Sequence, residues 1–131
     1  MLDQLRGRET VLVVDDEPIV LSLARSILTR HGYHVLPAAR GDEALLLYRR
    51  GSIDLLLTDV VMPSMSGPEL AHEIKKENSG LRCIFMSGYE PDQIKSYGPN
   101  GVGCDYLRKP FTPEVLLRKV RETLDAPANA N

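Results

Sequence analysis

Apolar residues along this chain follow two rhythms. Short unbroken runs such as Thr10-Val11-Leu12-Val13-Val14 and Ile53-Asp54-Leu55-Leu56-Leu57-Thr58 have no helical period, and suit strands buried on both faces of a parallel sheet. Between them lie stretches of helical spacing. Ile19, Val20, Leu23, Ala24, Ile27 and Leu28 predict a first helix to about His31, stopped by Gly32. His34-Val35-Leu36 is a weaker second strand, and Gly41-Asp42 opens a second helix that carries Ala44, Leu45, Leu47 and Tyr48 and closes at Gly51. The third strand ends on Asp59, after which Pro63 and Gly67 force a turn. A third helix is expected from Pro68 to about Glu77, with Leu70, Ala71 and Ile74 inward.

Arg82 to Ser87 is the fourth strand, followed by Gly88. The stretch Pro91 to Val102 is the least regular, with a short helix over Asp92 to Tyr97 broken by Gly98-Pro99-Asn100-Gly101. Cys104 to Leu107 is a short fifth strand leading into Arg108-Lys109-Pro110. Thr112 caps the last helix, Pro113 takes its first position, and Val115, Leu116, Val120 and Leu124 face inward. Residues 1–8 read as a flexible lead or linker, 9–125 as one domain, and 126–131 as a frayed tail. Strand and helix alternate five times, which calls for an α/β doubly wound parallel sheet, flavodoxin-like, in the order 2-1-3-4-5.

Composition narrows the functional classes. A chain of 131 residues with 43% hydrophobic and 26% charged residues is ordinary for a soluble domain. A net charge of −2 offers no electrostatic case for nucleic acid or membrane binding. No apolar run is long enough to span a bilayer, and residues 1–9 lack a signal-peptide core, so the cytoplasm is the expected compartment. Cys83 and Cys104 form no C-x-x-C pair, and His31, His34 and His72 show no ligand spacing, so buried free thiols are expected and a zinc site is not.

The chemistry lies where the strands end. The first strand ends in Asp15-Asp16-Glu17-Pro18, the third in Asp59, the fourth in Ser87 and the fifth in Lys109. In a parallel sheet of this order those ends share one rim, where open α/β sheets bind their ligands. Crowded carboxylates repel one another, so a hard cation or an ammonium must offset them. Mg²⁺ suits the first role, taking oxygen ligands and keeping waters that a phosphate oxygen displaces. Lys109 suits the second, as a point charge able to bind phosphate. A carboxylate placed between them is a nucleophile toward phosphorus, its product held by electrostatic contacts. Taken singly each residue has a plainer explanation: a helix cap for Asp15 and Asp16, a turn residue for Asp59, a surface charge for Lys109, a core aromatic for Tyr106.

As a set, these residues resemble the receiver domain of the two-component response-regulator family. The resemblance rests on Val11 to Asp16, on Asp59-Val60-Val61-Met62-Pro63 with Gly67, on Met86-Ser87-Gly88, and on Tyr106-Leu107-Arg108-Lys109-Pro110-Phe111, over residues 9 to 125. It implies that Asp59 accepts a phosphoryl group from a histidine kinase or histidine phosphotransfer domain. Asp16, Asp59 and the Val61 carbonyl would bind Mg²⁺, with Asp15 helping through water. Lys109 would contact the phosphoryl group and precede a cis peptide bond to Pro110. Ser87 and Tyr106 would be the switch, altering the surface around residues 92–97, the fifth strand and the last helix. Phe85 to Tyr89 and Lys109 to Glu114 look like receivers attached to hybrid sensor histidine kinases. Val61 and Tyr89 flank the site without a group suited to orienting water, from which slow self-dephosphorylation is expected.

Three other readings share parts of this pattern. A pseudo-receiver would bind partners without phosphate turnover, but such modules usually lack one of the residues present here. A hydrolase of the haloacid-dehalogenase type wants a second aspartate where Val61 stands. A flavodoxin wants a Ser/Thr/Gly-rich phosphate loop after the first strand. The cognate kinase, the downstream partner and the oligomeric state, a homodimer among the options, are not legible in the sequence.

Overall fold

The computed structural model describes residues 2–88 and 104–126. The expected short helix at 92–97, Tyr89, and the tail at 126–131 beyond its first residue lie outside them. Five parallel strands, β1 (Thr10–Val14), β2 (His34–Ala38), β3 (Leu55–Asp59), β4 (Arg82–Ser87) and β5 (Cys104–Arg108), form one sheet in the order β2-β1-β3-β4-β5. The helices are α1 (Pro18–Arg30), α2 (Gly41–Arg50), α3 (Gly67–Lys75) and α4 (Pro113–Asp125). This is the flavodoxin-like order expected from the sequence.

The unbroken apolar runs work because successive strand residues point to opposite faces and both faces are covered. Val11, Val13, Leu55, Leu57, Ile84 and Met86 pack with Ala24, Ile27 and Leu28 of α1 and with Leu116, Leu117, Val120 and Leu124 of α4. Their neighbours Leu12, Val14, Leu56, Cys83 and Phe85 pack with Ala44 of α2 and with Leu70, Ala71 and Ile74 of α3. Pro37 is tolerated in β2 because that strand is an edge and its proline costs no internal ladder bond.

Not every apolar residue faces inward. Val115, expected on the inner face of the last helix, is 49% exposed. The buried stripe is Leu116, Leu117, Val120 and Leu124, and one residue back along a helix is about a 100° turn out of that stripe. Ile19 and Leu23 of α1 are also exposed.

The lead at residues 1–8, expected as a flexible lead or linker, makes defined contacts with the domain. Leu2–Leu5 forms a 3₁₀ turn, and Leu5 is buried against Leu28, Tyr33 and α4. The Gly7 N–H donates to the His31 carbonyl (3.1 Å), and the Tyr33 hydroxyl donates to the Leu5 carbonyl (3.3 Å). Gly32, at φ 98°, turns the chain under this strap; a side chain there would strike the Gly7 carbonyl. The Arg121 guanidinium closes the arrangement, donating to Glu9, Asp125, the Tyr33 hydroxyl and the Arg6 carbonyl. That guanidinium holds the Glu9 carboxyl down at about 2. A nine-residue, largely polar segment with only Leu2 and Leu5 as leucines carries no periodic signal from which to read this docking.

Loss of the buried Leu5 should be felt. Leu5→Ala should lower unfolding free energy by about 1–3 kcal/mol in urea titration, as for a buried leucine near a chain end. A mobile lead would leave the midpoint unmoved.

Candidate functional site

The register brings the strand-end residues together. Val14 pairs with Thr58 and Asp59 with Met86, so Asp15 follows level with Asp59 and Ser87 lies one residue further along the same rim. On β5, Arg108 pairs with Ser87, and the Lys109 N–H donates to the Ser87 carbonyl at 2.8 Å. That bond fixes where the lysine leaves the sheet. The Lys109–Pro110 peptide is cis, as the resemblance implied.

From there the Lys109 side chain reaches past the end of β4. Its Nζ lies 3.1 Å from Asp59 Oδ1, 2.9 Å from Asp15 Oδ2 and 3.1 Å from Glu17 Oε1. Asp15 is fully buried and Asp59 only 7% exposed. Asp59 Oδ1 also accepts the Val60 N–H, and Asp15 Oδ1 accepts the Glu17 N–H. Asp15 Oδ2 is buried without a hydrogen bond although the ammonium is beside it as an ion partner.

Burial raises the Asp59 carboxyl to about 6, with repulsion from Asp15 adding to it and Lys109 opposing both. Burial raises Asp15 as well, against its bond from the Glu17 N–H and the nearby charge of Lys109. Lys109 moves the other way: burial alone would lower it, but the Asp15, Asp59 and Glu17 carboxylates outweigh that and hold it above its ordinary range. One ammonium therefore stays charged and does not fully compensate its neighbours.

The loop from β3 to α3 completes the rim. The Gly67 N–H donates to the Val60 carbonyl (2.8 Å), and a Cβ at Gly67 would strike the Asp59 carbonyl oxygen. Only glycine permits that approach. Ser66 then caps α3 in a reciprocal box with Glu69.

The expected site residues divide into three groups. Asp15, Asp59 and Lys109 meet. Ser87 is buried at the end of the adjacent strand, and Tyr106 lies half-buried against Phe85, ring centroids 5.9 Å apart. Asp16 is exposed and stands outside the cluster of carboxylates, while Val61 presents a half-exposed apolar side chain from the loop. Glu17 was not singled out by the sequence reading, yet its carboxylate joins those of Asp15 and Asp59, ligand atoms within 4.8 Å of one another. The clue was present: an acidic run ending directly before a first-turn proline, with Glu where Ser, Thr, Asp or Asn usually caps.

This donor set fits Mg²⁺. Three carboxylates against one ammonium leave a formal excess of two negative charges, every donor is oxygen, and one buried oxygen has no hydrogen bond. Hard divalent cations bind such sets.

Comparison with known proteins agrees. The family model described as the response regulator receiver domain matches residues 11–121. The sensor kinase CckA of Brucella abortus is 38% identical over 123 residues, 92% of this chain and 13% of that protein. The probable transcriptional regulatory protein TcrX of Mycobacterium tuberculosis is 33% identical, with 88% of this chain matching 49% of it. The chain thus spans half or less of the length of these two relatives. Among solved structures, the receiver domain of the hybrid histidine kinase CckA superposes with a TM-score of 0.74 at 36% identity, covering 88% of this chain and 98% of that one. The chemotaxis protein CheY4 of Vibrio cholerae gives 0.84 at 28% identity, covering 89% and 99%.

The raised Asp59 carboxyl has a consequence for stability. The native state retains that proton between roughly the ordinary value of 3.8 and about 6, so its contribution is full at acid pH and is lost as pH rises through 6. That difference corresponds to at most about 3 kcal/mol. In chelator-treated protein, Asp59→Asn should therefore be more stable than wild type by about 1–3 kcal/mol at pH 7.5. Thermal melts should show the difference shrinking toward zero near pH 3, below the ordinary carboxyl value, where Asp59 is protonated in both states.

Proposed function

This chain belongs to the response regulator receiver domain family, and on that premise we propose that Asp59 accepts a phosphoryl group from the phosphohistidine of a histidine kinase or histidine phosphotransfer domain. The observation that carries this reading is the buried Asp59 carboxylate held 3.1 Å from the Lys109 ammonium at the rim of the sheet.

Above about pH 6 that carboxylate is ionised and nucleophilic. Among the described residues both of its hydrogen bonds fall on Oδ1, so Oδ2 is the oxygen that attacks. Its bond to phosphorus forms as the phosphorus–nitrogen bond of the phosphohistidine breaks, and the imidazole leaves with the bonding pair. Lys109 and the Val60 N–H hold Oδ1 and keep the carboxylate aimed; Lys109 also meets the charge of the incoming group. Asp15 and Asp59, which meet at the rim with Glu17, would hold Mg²⁺ together with Asp16 and the Val61 backbone carbonyl from the exposed edge; when bound, the ion neutralises phosphoryl oxygens.

Ser87 and Tyr106 form the proposed switch. Ser87 stands two residues from Phe85 on β4, and Tyr106 rests on that ring, so movement of Ser87 toward a new phosphoryl group has a packed route to Tyr106. The domain turns over no substrate as an enzyme would; it promotes its own phosphorylation and dephosphorylation. The near-neutral charge supports a protein partner and no direct nucleic acid or membrane contact, and no helix among the described residues is long and apolar enough to cross a membrane. A cytoplasmic location accompanies a histidine kinase partner, and the likeness to CckA favours the hybrid-kinase setting.

Treatment with phosphoramidate should add one phosphoryl group, about 80 Da by mass spectrometry, to wild type in Mg²⁺. The gain should disappear in Asp59→Asn and in chelator. A folded, Mg²⁺-binding protein with no gain would instead be a pseudo-receiver.

The 51% exposed Val61 offers no group to orient an attacking water. The phosphoryl group should accordingly persist for minutes or longer without a partner, and Val61→Asn should shorten its lifetime several-fold. A wild-type lifetime of seconds, or an unchanged rate in the variant, would contradict this.

A further inference from the structure

Lys109 has three N–H bonds to give, and three carboxylates already surround it at 2.9–3.1 Å. A phosphoryl oxygen arriving on Asp59 must take one of those places. Asp15 is fully buried and anchored by the Glu17 N–H, and Asp59 is the acceptor itself. Glu17 differs from both. Its side chain is 61% exposed, and its only described side-chain bond is to the lysine. It occupies the N-cap of α1, yet its carboxylate makes no cap bond to the helix and turns to Lys109 instead. An exposed carboxylate that leaves the helix end uncapped is held there by the ammonium alone.

We propose that Glu17 is a positioning residue that occupies the phosphoryl group's place on Lys109 in the resting state and is displaced when Asp59 is phosphorylated. This rests on the reading of Asp59 as phospho-acceptor. Glu17 stabilises the unphosphorylated form twice over: it completes the contacts of Lys109, and its negative charge opposes an incoming anionic phosphodonor. Together with Asp15 and Asp59 it also adds to the negative charge that attracts a divalent cation. Its removal therefore has opposite effects on two measurable quantities.

Glu17→Gln keeps the shape and removes the charge. In the phosphoramidate reaction the Asp59 oxygen–phosphorus bond forms as the phosphorus–nitrogen bond breaks, and the nitrogen of the zwitterionic donor leaves as ammonia with the bonding pair. At saturating Mg²⁺, Glu17→Gln should be phosphorylated about 3- to 10-fold faster than wild type, a gain that shrinks in about 0.5 M salt as the charges are screened. Calorimetric titration of the unphosphorylated protein with Mg²⁺ should show binding weakened about 2- to 5-fold. Glu77→Gln, an exposed charge change beyond the far end of α3, should alter neither quantity.

An unchanged or slower rate in Glu17→Gln, with wild type phosphorylated on Asp59, would overturn the proposal and leave the phospho-acceptor reading intact. An equal gain in Glu77→Gln would also overturn it, since net charge would then be the cause. Absence of phosphorylation in wild type would overturn both.

Discussion

Mutual repulsion among carboxylates gathered on one ammonium organises the functional end of this molecule. Asp15, Glu17 and Asp59 share Lys109 within hydrogen-bond distance, and two of the three are buried. Burying carboxylates is costly unless they are paired, so the site is stable only while the lysine is delivered to one spot. The parallel register, the Lys109 N–H bonded to Ser87 and the tight approach of Gly67 to Asp59 accomplish that delivery. The incomplete compensation that remains is what a cation and a phosphoryl group exploit.

The rest of the fold supplies rigidity. Both faces of the sheet are covered by apolar helix stripes, so the strand ends cannot shift independently. At the opposite end, Arg121 ties the N-terminal strap to α4 through Glu9, Tyr33 and Asp125. There the Arg121 guanidinium has two carboxylate partners of opposite charge, Glu9 and Asp125, whereas at the functional rim three carboxylates share one ammonium. Electrostatic frustration is thus concentrated at one rim and relieved at the other, as expected where a protein trades stability for chemistry.

The likeness to receivers extends to the cis bond after Lys109 and to the strand order. The departures are local. Glu17 stands within the carboxylate group while Asp16 lies outside it, because β1 ends at Val14 and the chain bends before Pro18 starts α1. Which carboxylate faces the lysine depends on that bend, which residue identity does not specify.

The sequence by itself determined the strands, the helices and the strand-end positions of Asp59, Ser87 and Lys109. Unbroken apolar runs and period-3.6 spacing are local properties, and Pro18, Gly67, Thr112 and Pro113 punctuate them by their own backbone chemistry. Tertiary structure alone decided the rest. Whether Asp16 or Glu17 meets Lys109 depends on a contact between residues about 92 positions apart in the chain, and so does the geometry of the shared ammonium. Val115 left the core because helix rotation follows the best-buried stripe rather than any one apolar residue. The polar lead folded because Arg121 and Tyr33, both distant in sequence, provide partners that no local pattern announces. Local periodicity is written in neighbours; charge pairing is settled only when remote segments meet.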